Sequence, residues 1–309
     1  MDTLPEQILK TRNLTKRYGH FTAVNDLSFS LQKGDIYGLI GKNGAGKTTL
    51  LKMVSGLTAP ASGEMELFGQ TSESGLNRVR SRTGCIIESP GFFPYLSAAE
   101  NLEYYRIQRG IQGKKRIQEI LRLVGLSNTG KKKFKSFSTG MKQRLGLAFA
   151  LMEKPDFLIL DEPTNGLDPM GIAEFRDIIC KLNREYNTTI LISSHILGEL
   201  SQIATVYGFI NQGNLVEQVS ASELAKKCRR RLAIKVNDIV KAADILKGEL
   251  SCTYEITEDS RIFVEKYVDA PEVLNETLVK NGVQVFELTT AGLRLEQYFI
   301  DLVGGNQNA

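Results

Sequence analysis

Nine consecutive residues carry the sharpest chemical signal in the chain. Gly41, Lys42, Asn43, Gly44, Ala45, Gly46, Lys47 and Thr48 fit the eight-position pattern G-x-x-x-x-G-K-[ST], and Thr49 follows directly. Glycines let a backbone wrap tightly, so that successive N–H groups point at phosphate oxygens. An apolar run, 36–40, precedes the loop, and a helix-like run, 48–55, follows it and stops at Gly56. The N-terminus of such a helix favours an anion. Lys47 is then placed to reach the β- and γ-phosphates of a nucleoside triphosphate, and the Thr48 hydroxyl to ligate Mg²⁺. A glycine-rich turn could match the pattern by chance, but not with a strand before it and a helix after it.

A second element is acidic. The apolar run 157–160 leads directly into Asp161 and Glu162. In an open α/β sheet, ligands collect at the carboxyl ends of the strands. Asp161 is expected to hold Mg²⁺ through water, and Glu162 to polarise the water that attacks the γ-phosphate. A charged pair that merely caps a strand is the plain alternative, and the phosphate loop upstream decides against it.

The rest of the chain must position these groups. At about 150 residues per domain, 309 residues suggest about two domains. Apolar runs at 36–40, 85–88, 157–160 and 189–193 alternate with amphipathic stretches. The last two runs are apolar nearly throughout, as suits central strands covered on both faces. The first 225 residues therefore read as an α/β domain with a mostly parallel sheet. The stretch 98–126 reads as helix and is taken as a helical insert, spanning about 97–140. The charged run KKCRRR at 226–231 reads as a solvated linker. Beyond it, 232–309 follows the order β-α-β-β-α-β with a final helix at 293–303, compatible with a small α+β, ferredoxin-like domain.

Composition excludes several classes. The formal net charge is +4, too small a bias to imply nucleic acid. No stretch approaches the roughly 20 apolar residues that span a bilayer. The opening MDTLPEQILKTRN lacks the features of a signal peptide, so secretion is not expected. Cys85, Cys180, Cys228 and Cys252 form no C-x-x-C pair and are read as separate thiols. With His20 and His195 as the only histidines, a histidine-rich metal site is excluded.

With the segments between them, these motifs resemble the ATP-binding subunit of an ABC transporter. Ser138-Thr-Gly-Met-Lys-Gln-Arg144 resembles the family's signature loop, departing from its usual Ser-Gly-Gly-Gln start at Thr139 and Met141. The resemblance implies that Ser138 and the Gly140 backbone meet the γ-phosphate of ATP held by an opposite cassette. A helix at 141–152 would aim its dipole there. Asn165, Gly166, Leu167 and Asp168 resemble the D-loop, which lines the interface between cassettes. His195 matches the switch histidine that contacts the γ-phosphate, and Tyr18 the aromatic that stacks on adenine. Glu88 stands where most of the family has glutamine, in the loop that approaches Mg²⁺ and meets the membrane partner. A glutamate there can ligate the metal as an anion. Together with 92–96, 100–102 and 295–299, Glu88 resembles the subgroup whose exporters act on lantibiotics and bacitracin-like peptides.

The resemblance implies an ATPase that binds ATP and Mg²⁺ and catalyses hydrolysis with Lys47, Glu162 and His195. It also implies membrane-embedded permease subunits and a second cassette as partners, without nucleic acid. The expected location is peripheral, through the permease, at the cytoplasmic face of the membrane. Export of another drug or a lipid is the standing alternative. A soluble cassette acting on ribosomes or DNA is disfavoured: the translation-type members carry two cassettes in one chain where this chain has one phosphate loop, and the DNA-repair members need a long coiled coil where Lys47 and Ser138 lie only about 90 residues apart.

Overall fold

A computed structural model describes residues 6–88, 91–228, 230–257, 260–291 and 295–304. The chain divides into two compact units, 1–221 and 222–309.

The first unit begins with a hairpin of two long strands, β1 (Gln7–Tyr18) and β2 (Phe21–Gln32), followed by β3 (Ile36–Ile40) and α1 (Lys47–Ser55). Next come β4 (Ser62–Leu67), α2 (Glu73–Val79) and β5 (Thr83–Ile86). The helical insert holds α3 (Ala98–Gln108) and α4 (Lys115–Leu123), and α5 (Thr139–Ala150) leads into β6 (Phe157–Leu160). The unit continues with α6 (Pro169–Tyr186), β7 (Thr189–Ser194), α7 (Leu197–Leu200), β8 (Val206–Asn211) and β9 (Asn214–Ser220).

Its main sheet has the order β5-β6-β7-β3-β8-β9, parallel except for the β8–β9 edge pair. Every residue of β3, β6 and β7 is buried. Strands covered on both faces gain by being apolar throughout, which is why these runs do not alternate. Parallel neighbours also end on the same side. The residues that follow β3, β6 and β7 therefore emerge together, and those are the phosphate loop, the acidic pair and His195.

A second, three-stranded antiparallel sheet, β2-β1-β4, is not anticipated by the sequence reading. Register shifts interrupt the β1–β2 pairing at four places, so the two-residue alternation that marks a half-buried strand is broken. The insert also differs from expectation. Instead of one helix over 98–126, two helices flank a turn at Gly110 and Gly113, both at positive φ. Ser97 caps α3 in a reciprocal box with Glu100, whose carboxyl is held well below the usual range, to about 2, chiefly by its hydrogen bond from the Ser97 backbone.

From the last residue of the first unit, α8 (Ala221–Lys227) leads into the second, so Lys226 and Lys227 form the last turn of a helix rather than a linker. Basic residues there suit the negative end of the helix dipole. Then follow β10 (Arg231–Val236), α9 (Ile239–Gly248), β11 (Tyr254–Ile256), β12 (Ile262–Val264), α10 (Pro271–Lys280), β13 (Val285–Ala291) and α11 (Leu295–Gly304). The sheet order is β11-β12-β10-β13, all antiparallel. Counted within the unit, that is strand order 2-3-1-4, the arrangement of the ferredoxin-like βαββαβ motif. Leu232 and Ile234 of β10 pack with Leu246 of α9 and Leu274 and Leu278 of α10 in a core of its own. The expected start of the final helix, at 293, and the tail beyond 304 lie outside the described residues.

Phe175 of α6 is only 1% exposed. Replacing it with Ala should lower stability by about 3–5 kcal/mol, the usual cost of truncating a buried phenylalanine. Urea unfolding of the full chain followed by circular dichroism would measure it.

Candidate active site

The phosphate loop has the geometry its chemistry requires. Gly46 stands at the N-cap of α1 with φ 106°, and no side chain caps the helix, which leaves its first N–H groups to a ligand. A Cβ at Gly46 would lie 2.5 Å from the Ala23 carbonyl, so glycine is required twice over, by conformation and by space. The loop is fixed from outside as well. The Gly41 N–H donates to the Ser194 carbonyl at 3.3 Å, and the Gly213 N–H to the Ala45 carbonyl at 2.9 Å. The Lys47 side chain is buried, and each of its three protons has an acceptor. The Gly41 and Lys42 carbonyls lie at 2.6 and 3.1 Å from Nζ, and Glu162 Oε1 at 3.0 Å.

Glu162 is the hub of the site. It follows β6 at φ +43°, in the left-handed region that glycine favours. Its N–H donates to Ser193 Oγ at 2.9 Å, and its other carboxylate oxygen lies 2.6 Å from His195 Nδ1. An ionised carboxylate only accepts, so Nδ1 carries the proton. Burial pushes the Glu162 carboxyl up, but hydrogen bonds from Lys47 and His195, with their charges, leave it below its ordinary value.

Asp161 receives two hydroxyls, Thr48 Oγ1 at 2.6 Å and Ser193 Oγ at 2.7 Å. Its N–H donates to the Ile86 carbonyl at 2.8 Å, which ties the end of β6 to the end of β5. Ser193 thus orients both carboxylate residues. It reaches them only because β7 is the neighbour of β6, which no local pattern in the sequence states. Among the described residues no group of three or more His, Cys, Asp or Glu side chains is placed to hold a metal. The Thr48 hydroxyl and the Asp161 carboxylate form an oxygen-only pair, and that suits Mg²⁺, which keeps several waters and needs few protein ligands.

Glu88 is not drawn into that pair. Its carboxylate bonds instead to Lys52 Nζ at 2.6 Å. Lys52 lies one turn beyond Thr48 on α1, and no local pattern in the sequence marks it. Its ammonium is raised above its ordinary pKa, first by the Glu88 hydrogen bond, against desolvation, with smaller contributions from the charges of Glu88, Tyr18 and Asp161. Tyr18 ends β1 half exposed, with Lys16 Nζ 5.2 Å from its ring centroid.

The remaining motif residues lie on other elements and face outward. Ser138 is exposed and caps α5, accepting from the Met141 N–H at 3.3 Å, so the helix starts at Thr139, earlier than the expected 141. Gly140 sits in its first turn, where an added Cβ would lie 3.6 Å from Leu167 Cδ2. The signature loop and the segment 165–168 are therefore neighbours within one chain. Asp168 caps α6, accepting from the Gly171 N–H at 2.8 Å, ahead of Pro169 at the first helical position.

Comparison with known proteins agrees with this geometry. A family described as ABC transporter matches residues 24–165. The chain is 42% identical to the bacitracin transport ATP-binding protein BcrA of Enterococcus faecalis, over 97% of each chain. The chain belongs to the ATP-binding proteins of ABC transporters. As a member of that family, the cassette binds and hydrolyses ATP. It is also 44% identical to the lantibiotic transport ATP-binding protein SrtF of Streptococcus pyogenes, over 68% of this chain and 89% of that one. Among solved structures, cbiO1 of Clostridium perfringens, part of the cbiONQ transporter complex, is 25% identical with a TM-score of 0.65. The match covers 72% of this chain and 92% of that one. No helix among the described residues is long and apolar enough to cross a membrane.

If Lys47 binds phosphate, replacing it with Ala would remove a charge-assisted bond, worth about 1.5–3 kcal/mol, and the ammonium charge beside the phosphates. The affinity of the purified cassette for ATP should fall by about 100-fold or more, as measured by calorimetry.

Proposed function

We propose that this cassette powers export of a bacitracin-like or lantibiotic peptide through separate permease subunits at the cytoplasmic face of the membrane. The observation that carries the reading is the reach of the likeness. Similarity to the bacitracin transport protein extends over 97% of the chain, the second unit included. Similarity to the lantibiotic transport protein stops at 210 residues. Bacitracin-like peptides are therefore the first cargo to test.

The residues divide the work as follows. The backbone of residues 41–49 cradles the phosphates, and Lys47 holds the β- and γ-oxygens. Tyr18, exposed at the end of β1, offers its face to the adenine. Thr48 and Asp161 hold Mg²⁺, which when bound offsets the charge of the phosphate oxygens. Glu162 takes the proton of the attacking water, and His195 fixes Glu162 and meets the γ-phosphate. Ser138 and the Gly140 N–H serve the nucleotide of a second cassette across an interface lined by 165–168. The exposure of Ser138, Asn165 and Asp168 supports this reading.

The permease-facing surface is assigned to Glu88 and to the insert. Phe93 and Tyr104 pack edge to face at 4.6 Å, and Tyr95 and Ile107 are 70% and 64% exposed. Apolar side chains grouped this way on a surface mark an interaction site.

Two measurements test the proposal. Glu162→Gln should retain ATP binding while lowering hydrolysis by about 100-fold or more, the usual worth of a general base. Deleting the gene in its native host should increase susceptibility to bacitracin or a lantibiotic. Unchanged susceptibility across a panel of peptide antibiotics would overturn the cargo assignment and leave the ATPase assignment standing.

A further inference from the structure

Glu88 stands beside a site built for polyphosphate, where a second unpaired carboxylate would repel the ligand. Lys52 answers that charge at 2.6 Å. Thr48 and Lys52 are four residues apart on α1 and therefore share a face. The inner face of α1 is locked by Leu50, Leu51, Met53 and Val54, all fully buried, so the helix moves as one body. Glu88 itself is held at φ +67°, a conformation that a non-glycine residue keeps only when its surroundings impose it. The described partner of its carboxylate is Lys52.

We propose that Lys52 is a positioning residue that ties Glu88 to the phosphate-binding helix. Nucleotide occupancy sensed by Lys47 and Thr48 at the start of α1 is transmitted through Lys52 to Glu88. This rests on the reading of residues 41–49 as the ATP site and of the Glu88 loop as the permease contact. Glutamine at position 88 could accept a hydrogen bond from Lys52, but would form no ion pair with it. Both side chains are partly or largely solvent-exposed, and exposed pairs add little to folding stability. Breaking the pair therefore reads position rather than folding.

Hydrogen exchange of the full-length protein, with and without Mg²⁺ and a non-hydrolysable ATP analogue, tests this without a permease or a cargo. In the wild type, the analogue should slow exchange at residues 41–49 and at 86–88. Lys52→Gln should keep the response at 41–49 and lose at least half of that at 86–88. Lys52→Arg should keep both. Glu88→Gln should reduce the response at 86–88 to the same extent as Lys52→Gln, and the double variant should go no further. An unaltered response at 86–88 in Lys52→Gln would overturn the proposal. So would loss of the response at 41–49, which would make Lys52 a nucleotide ligand, or additive losses in the double variant. Failure of the cargo reading would show only in host susceptibility, and failure of the nucleotide-site reading as no wild-type response at 41–49.

Discussion

The Glu162 carboxylate stays ionised in a partly buried position because Lys47 and His195 flank it. Burial alone would raise its pKa and cost it the charge that its proposed role as a base requires. The flanking cation is the same ammonium that we propose binds phosphate. Lys47 has three donors, all spent on Gly41, Lys42 and Glu162. A γ-phosphate can therefore engage Lys47 only by displacing one of these acceptors. Displacing Glu162 frees one carboxylate oxygen for water while His195 keeps hold of the other. In the proposed function, nucleotide binding and release of the base are thus a single exchange of partners.

Backbone constraints make that exchange possible. The parallel order β6-β7-β3 brings three strand ends to one place, and the bonds from Gly41 to Ser194 and from Glu162 to Ser193 fix their heights. The left-handed φ of Glu162 turns the side chain back toward Lys47 as the chain leaves the sheet. The position is strained for a glutamate and held by its three partners.

Much of this was legible in the sequence because the decisive residues are contiguous. Residues 36–49 and 157–162 each carry strand, turn and chemistry in one run, so local pattern suffices. The second unit was legible for a related reason, since its short strands and helices alternate with clear turns. What escaped notice depended on tertiary neighbours. Ser193 reads as the end of a strand until β7 is known to lie beside β6. Lys52 reads as an ordinary basic residue in the last turn of α1 until Glu88 is brought to it. The long β1–β2 hairpin was hidden because its bulges break the alternation of buried and exposed residues. The insert read as one helix because apolar spacing resumes in phase across the turn at Gly110 and Gly113.

A structure of the full-length protein with Mg²⁺ and a non-hydrolysable ATP analogue observes the exchange at Lys47 directly. Lys47 Nζ should be bonded to a γ-phosphate oxygen, Glu162 released from Lys47 yet still bonded to His195 Nδ1, and the Glu162 carboxylate should face the γ-phosphate. A Lys47–Glu162 pair that persists beside a fully bound analogue would contradict the exchange.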